Sequence, residues 1–297
     1  MPKPSVRYLV FDVESVADAA LVARLKYPGE KEMEPDEAVK RYRAELMEKF
    51  DSDFIPYTYQ VPISIVVAKV AADFRLIDLI ALDEPQFRSH VMTAHFWKGW
   101  DGYRRSSPLT LVSFNGRTFD VPLLELAAFR FGLPLPGWFN TSGKTYEQPR
   151  NRYNADAHLD LQDALTNFGA ARFSGGLNLA ANLLGKPGKM DVQGYMVQDL
   201  FNEGRIAEIN DYCRCDVLDT YFVFLRCHVV LGQLKLDEEQ KIIAETKAWL
   251  QERSAVTPVY AEYLSRWGTW RNPWEAETDT AAPTANEVAP EEASTVP

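Results

Sequence analysis

The residues of this chain whose types and spacing suit chemistry are acidic. Asp12 and Glu14 stand one residue apart in "YLVFDVESV", at the end of a run that is otherwise apolar. On a strand, residues i and i+2 share a face about 7 Å apart, so the pair offers oxygen ligands to a divalent cation. Glu30/Glu32, Glu32/Glu34, Asp51/Asp53 and Glu275/Glu277 have the same spacing, and these read as solvated surface charges. Asp12 and Glu14 differ in context, because an unpaired charge beside a buried strand is costly or shifts its pKa.

A second candidate is Asp120, which closes "FNGRTFD" (114–120). There a buried strand ends, Asn115-Gly116 turns and a helix begins. Asp is a favoured helix cap. The other reading is a third carboxylate at a strand end, where α/β sheets build sites. A third candidate lies in "DYCRCDVLDTYFVFLR" (211–226). On a helix, Tyr212 and Asp216 are i and i+4 and share a face. Asp219 lies near the same face, and spacing leaves it open as a ligand. Tyr8 and Asp12 repeat the Tyr-x-x-x-Asp spacing, but on a strand they stand about 13 Å apart. Each feature is weak alone; occurring together, in order and in context, they are specific.

Positioning these residues requires a sheet. Strands are expected at 6–13, 61–70, 74–82, 109–114 and 157–161, with a hairpin near Ala72-Asp73. Residues 17–55 read as a charged, helical insertion. "EPQFRSHVMTAHFWKGW" and "DVPLLELAAFRFG" read as helices, the second stopping at Gly132, and helices follow at 163–168, 177–184, 195–203, 206–230 and 237–252. This predicts one α/β domain over 1–252, a Trp/Tyr-rich extension over 253–272, and a disordered acidic tail over 273–297. Three antiparallel strands followed by parallel ones fit an RNase H-like mixed sheet flanked by helices; the pattern leaves other mixed sheets open.

Bulk numbers add limits. The 297 residues are 46% hydrophobic, enough for one large core. Six acids and no Lys or Arg fall in 273–297, so the net charge of −10 becomes −4 without them and argues little for or against nucleic acid. The three cysteines, Cys213, Cys215 and Cys227, crowd one segment, a poor disulfide framework. Cys213 and Cys215 face apart on a helix and have no second pair to complete a zinc site. They read as structural thiols, and a cytoplasmic location fits best. No signal peptide or membrane span is expected.

Asp12-x-Glu14, the Asn115-x-x-x-Phe119-Asp120 junction and Tyr212-x-x-x-Asp216 resemble the three exonuclease motifs of the DEDD superfamily, in its DEDDy subclass. "IPYTYQVPISIVVAKV", "GGLNLAANLLGKPGKMDVQG" and "HLDLQDAL" extend the similarity over about residues 5–230, toward bacterial predicted 3′–5′ exonucleases related to the proofreading domain of family B DNA polymerases. The resemblance implies a phosphodiesterase using two Mg²⁺ or Mn²⁺ ions, about 3.5–4 Å apart. Asp12, Glu14, Asp120 and Asp216 would hold them, and Tyr212 would orient the attacking water. It favours Asp216 over Asp219 as the ligand. The implied partner is a nucleic-acid 3′ end, single-stranded DNA being favoured and RNA open. A catalytically silent 3′-end binder on the same fold is the rival reading.

Candidate substrate contacts are Ser15, Asn115 and Phe119 beside the ligands. Lys144, Arg150 and Arg152 join them from a loop shared with Tyr146 and Tyr153, where cations among aromatics suit a single strand. Asn115 could equally just hold the turn, and the loop could be plain solvated surface. Lys186 and Lys189 are weaker candidates. Asp160, in "HLDL", reads as a helix cap rather than a second acid at the site.

Overall fold

The structure, a computed structural model, describes residues 5–192 and 194–275. From residue 276 onward the acidic tail lies outside the described residues. The strands are β1 (Val6–Ala17), β2 (Gln60–Ala71), β3 (Leu76–Ala81), β4 (Thr110–Ser113) and β5 (His158–Asp160). The helices are α1 (Ala19–Lys26), α2 (Pro35–Phe50), α3 (Ser89–Ser106), α4 (Asp120–Phe131) and α5 (Leu161–Thr166), followed by α6 (Gly176–Leu183), α7 (Val197–Asn202), α8 (Ile206–Val230), α9 (Leu236–Arg253) and α10 (Val259–Ser265).

The sheet order is β3-β2-β1-β4-β5. β1 and β2 pair antiparallel, as do β2 and β3, while β4 runs parallel to both β1 and β5. This is the expected RNase H-like mixed sheet.

The sheet is covered on both faces, and strand alternation sorts the side chains between them. Leu9, Phe11 and Val13 of β1 join Ile65 and Val67 on one face, packed with Trp97 and Trp100 of α3 and Leu123 and Leu124 of α4. Tyr8 and Val10 join Val66 and Ala68 on the other face, against α8. Most of α8 is buried from Ile209 to His228. Such a helix needs apolar residues all round, and "VLDTYFVFLRC" supplies them, because α6, α9 and α10 contribute to the core on its far side. Tyr260 and Tyr263 of the C-terminal extension are buried in this same core.

Three local features matter for the site. β1 runs to Ala17, four residues past the expected end at residue 13, so Asp12 and Glu14 lie inside the strand. Gly132 adopts φ +67 and closes the end of α4, donating to Ala128 and Phe129 carbonyls, a left-handed cap that glycine takes without strain. Within the insertion, α1 and α2 form a small core of their own around Val22, Val39, Tyr42 and Leu46, with Ile55. Asp18 caps α1 through Leu21 and pairs with Arg130 of α4.

Candidate functional site

β4 pairs with β1 only over Tyr8–Val10. Asp12 and Glu14 therefore project past the end of β4, with only β2 beside them, opposite Val66 and Ser64. The register shifts just after Glu14, where Ser15 meets Pro62; proline cannot donate to the ladder and sits where pairing is irregular. By the period of two, the acids follow Tyr8 and Val10 on the face toward α8. Val16 then resumes the apolar stripe, packed with Ile209 and Tyr212. α8 runs antiparallel to β1 beneath this stripe. Tyr8 meets Phe224 at 4.9 Å between ring centroids, and Asp12 meets Cys213. The acids thus interrupt a buried stripe at the point where Tyr212 and Asp216 pass.

The turn after β4 supplies the third carboxylate. Asn115 takes φ +64, a conformation that Asn tolerates better than most residues. The Asp160 carboxylate fixes the turn by accepting from Asn115 N at 2.9 Å and Arg117 N at 2.8 Å, and it caps α5 through Gln162 N at 3.0 Å. Asp160 is therefore the cap expected of it and a brace for the turn as well. Gly116 lies flush against the site: a Cβ there would come 2.5 Å from Ser113 Oγ and 2.7 Å from Asp120 Oδ2. Asp120 is not the helix cap. Phe119 occupies that position without a side-chain bond, and Asp120 is the first residue of α4, buried with its carboxylate toward Gly116.

Burial acts on all four carboxylates, and the charges of their neighbours act on Glu14, Asp120 and Asp216 as well. Burial pushes Asp12 up to about 6, partly offset by hydrogen bonds involving Cys213 and Glu14. Glu14 is pushed well above the usual range by burial and by the charges of Asp12, Asp216 and Asp120. Burial and Asp12 raise Asp120 and Asp216 in the same way. Tyr212 is raised by burial and by Asp216, with which it shares a hydrogen bond, so its hydroxyl keeps its proton. Among the described residues no Lys, Arg or His forms an ion pair with any of the four acids, and the charge of Lys189 lowers only Asp216, against the larger effects of burial and Asp12. Asp219 points elsewhere and accepts from Tyr263 Oη at 2.6 Å.

Cys213 was legible only as a structural thiol. Its sulfur lies 3.5 Å from Asp12 Oδ2, and the ligand atoms of Asp12, Glu14 and Cys213 fall within 4.8 Å of one another. Burial holds the thiol well above its usual pKa, so it remains S–H. Its position next to Tyr212 on α8 was the available signal.

Two adjoining clefts open here. One, of about 630 Å³, is lined by Asp12, Glu14, Asp120, Asn115, Phe114 and Phe119. The other, of about 360 Å³, shares Glu14, Phe54 and Phe119 and adds Ser15, Gln60 and Arg43. Ser15, Asn115 and Phe119 thus line clefts beside the acids. The Asn115 amide oxygen already accepts from Thr118 and Gln162. Ser15 donates to Gln60.

The basic loop is placed differently from expectation. Lys144, Arg150 and Arg152 line neither cleft. Arg150 is bidentate to Glu125 of α4 at 2.7 and 2.8 Å, and Lys144 pairs with Glu147. Lys186 is buried over the rings of Phe222 and Trp267. Arg43 and Phe54 were missed, and Asp53 was read as a solvated charge. The aromatic stretch "FIPYTY", at the end of a polar segment, was the sign available in the sequence.

A family model described as "Predicted 3'-5' exonuclease related to the exonuclease domain of PolB" matches residues 52–267. The match starts after Asp12 and Glu14, so those two stand on geometry. Among solved structures, the family B DNA polymerase from the hyperthermophilic archaeon Pyrobaculum calidifontis is similar at 14% identity with a TM-score of 0.46. The similarity covers 76% of this chain and 25% of the polymerase, so the chain spans about a quarter of that protein. No curated protein matches the chain.

Proposed function

This chain belongs to the family of predicted 3′–5′ exonucleases related to the exonuclease domain of PolB, and from that premise we propose that it hydrolyses the terminal phosphodiester at a nucleic-acid 3′ end, using divalent metal. The observation that carries the proposal is the meeting of four carboxylates from β1, α4 and α8 with no ion pair to a Lys, Arg or His among the described residues. Such a set repels itself when empty.

The donor set fits the metals expected. Four carboxylates are hard oxygen ligands, which suit Mg²⁺ or Mn²⁺ better than softer ions, and the protonated Cys213 offers no thiolate to compete. Asp12, Glu14, Asp120 and Asp216 would hold two ions. Bound there, the ions would stabilise charge on the scissile phosphate and ease ionisation of the attacking water.

The chain's own residues supply position. Tyr212 keeps its proton, so its hydroxyl orients water by hydrogen bonding and is no general base. Asp216 aims that hydroxyl by accepting from it. Asp160 and Gly116 hold the β4–α4 turn so that Asp120 faces β1. Attack of water on the last phosphodiester releases a 5′-mononucleotide and leaves a new 3′-OH. Single-stranded DNA is the favoured substrate, with RNA an alternative. The three free, buried thiols fit a reducing cytoplasm, and among the described residues no helix is long and apolar enough to cross a membrane.

The test is product analysis. A single strand incubated with the protein and Mg²⁺ or Mn²⁺ should yield 5′-mononucleotides by chromatography, and none with a chelator. Release of 3′-phosphorylated products, or internal cuts, would overturn the proposal.

A further inference from the structure

We propose that the Tyr/Trp-rich segment after α9 is part of the catalytic unit: Tyr263, bonded to Asp219 of α8, braces the loop 185–192 that flanks Tyr212. Tyr263 is a positioning residue, acting through that loop. The inference rests on the exonuclease reading and adds which part of the chain holds Tyr212 in place.

Asp219 is the acid of α8 that the metal site does not use. Its side chain is buried, accepts from Tyr263 Oη at 2.6 Å, and leaves Oδ2 with no hydrogen-bond partner among the described residues. A buried carboxylate is costly unless it is bonded. Burial pushes Asp219 up to about 7, opposed by the Tyr263 hydroxyl, the charge of Lys186 and the Gly188 amide. The C-terminal segment and the loop thus meet at this one carboxylate. Tyr263 is buried as well, with the Trp267 ring edge-on at 5.9 Å between centroids.

The segment clamps the loop along its length. Gly185 takes φ +63, and a Cβ there would come 2.8 Å from Trp270 N, so residues 269–270 lie flush against it. Lys186 Nζ sits 4.4 Å from the Trp267 ring centroid, and Asp191 pairs with Arg266. Between these points the loop is pinned to α6, where Lys189 N donates to Asn178 Oδ1 at 2.8 Å.

The loop reaches the Tyr212–Asp216 pair. Val192 packs on the apolar cluster that contains Tyr212. Tyr212, Met190 and Val192 line a cleft of about 270 Å³ together with Pro258 and Val259 of the C-terminal segment. The charge of Lys189 lowers Asp216. Apolar packing sets how close these parts lie but has no direction. The Tyr263–Asp219 hydrogen bond supplies one. A hydroxyl that orients water loses its effect when it is slightly misplaced, so a slack loop should cost turnover and spare strand binding.

The experiment uses the full chain, Mg²⁺ or Mn²⁺ and a cleavable 5′-labelled single strand, at a temperature where every variant is fully folded. Tyr263→Phe keeps the ring and removes the hydroxyl. It should lower kcat about tenfold with KM little changed. Gly185→Ala, which lifts the loop from residues 269–270, should do the same. Neither loss should add to that of Tyr212→Phe, because both act through the Tyr212 hydroxyl, whereas independent effects add. If wild type shortens the strand from its 3′ end while Tyr263→Phe turns over like wild type, or its loss adds in full to that of Tyr212→Phe, the inference falls and the exonuclease reading stands. If wild type shortens no strand with either metal, that reading falls and this inference goes with it.

Discussion

The Cys213 thiol lies 3.5 Å from Asp12 Oδ2 and 3.4 Å from the Asp12 carbonyl oxygen. This contact ties α8 to β1 at the centre of the acidic cluster. Cys213→Ser keeps a donor there, whereas Cys213→Val fills the space without one. The Val variant should lose roughly tenfold or less in kcat, and the Ser variant should retain more activity. Steady-state kinetics on variants of matched thermal stability checks the ordering.

Removing one acid should stabilise the metal-free protein while it disables the site. Asp12, Asp120 and Asp216 each raise the pKa of Glu14, so Asp12→Asn relieves repulsion that the empty site must bear. A gain of about 1 kcal/mol is expected by chemical denaturation in chelator. Mg²⁺ or Mn²⁺ should raise the melting temperature of wild type, since ligands that bind only the folded state stabilise it. The variant should respond much less.

Gly116→Ala probes the turn. The new methyl would press on Ser113 and on the Asp120 carboxylate. Overpacking of this kind costs about 1–3 kcal/mol. Because Asp120 must move or Ser113 must give way, activity should fall further than the stability loss explains, as read from kcat at a temperature where both proteins are fully folded.

His158 predicts an acid-sensitive contribution to stability. Its Nε2 lies 2.8 Å from Ser113 Oγ, and burial, with Arg117 nearby, lowers its pKa to about 3. The folded pKa is depressed below the unfolded value of about 6.5. As pH falls through 6.5, the unfolded chain takes up a proton that the folded protein does not, and stability drops by up to about 1.4 kcal/mol per pH unit. His158→Asn removes this dependence. The site carboxylates pull the other way but are common to both proteins. The wild-type minus variant difference should therefore narrow by about 2 kcal/mol between pH 7 and pH 5.

Much of the fold was legible because its elements obey local rules. β2 and β4 read as apolar runs, and α4 ended at its glycine. Helix α8 was placed at 206–230, the bounds it has. The end of β1 was misjudged because acids at 12 and 14 look like a stop, whereas pairing with β2 carries the strand on to Ala17. Taken alone, Asp120 was open between a helix cap and a third carboxylate, because sequence shows residue type and not the one-residue offset that puts Phe119 in the cap position. The basic loop at 143–153 looked like a nucleic-acid contact because composition cannot reveal that Glu125, some 25 residues earlier, already holds Arg150. Arg43 was hidden for the opposite reason: it reaches the cleft through long-range packing that no local pattern encodes, whereas Phe54 and Cys213 left local signs, the aromatic stretch 54–59 and the place next to Tyr212 on α8.

The central claim is tested most directly by incubating a 5′-labelled single strand with wild type and with Asp12→Asn, in Mg²⁺ or Mn²⁺, with DNA and RNA in parallel. The account predicts a ladder that shortens from the 3′ end with wild type and a loss of about a thousandfold or more with Asp12→Asn. An uncut strand with either metal, or a ladder unchanged by Asp12→Asn, would contradict it.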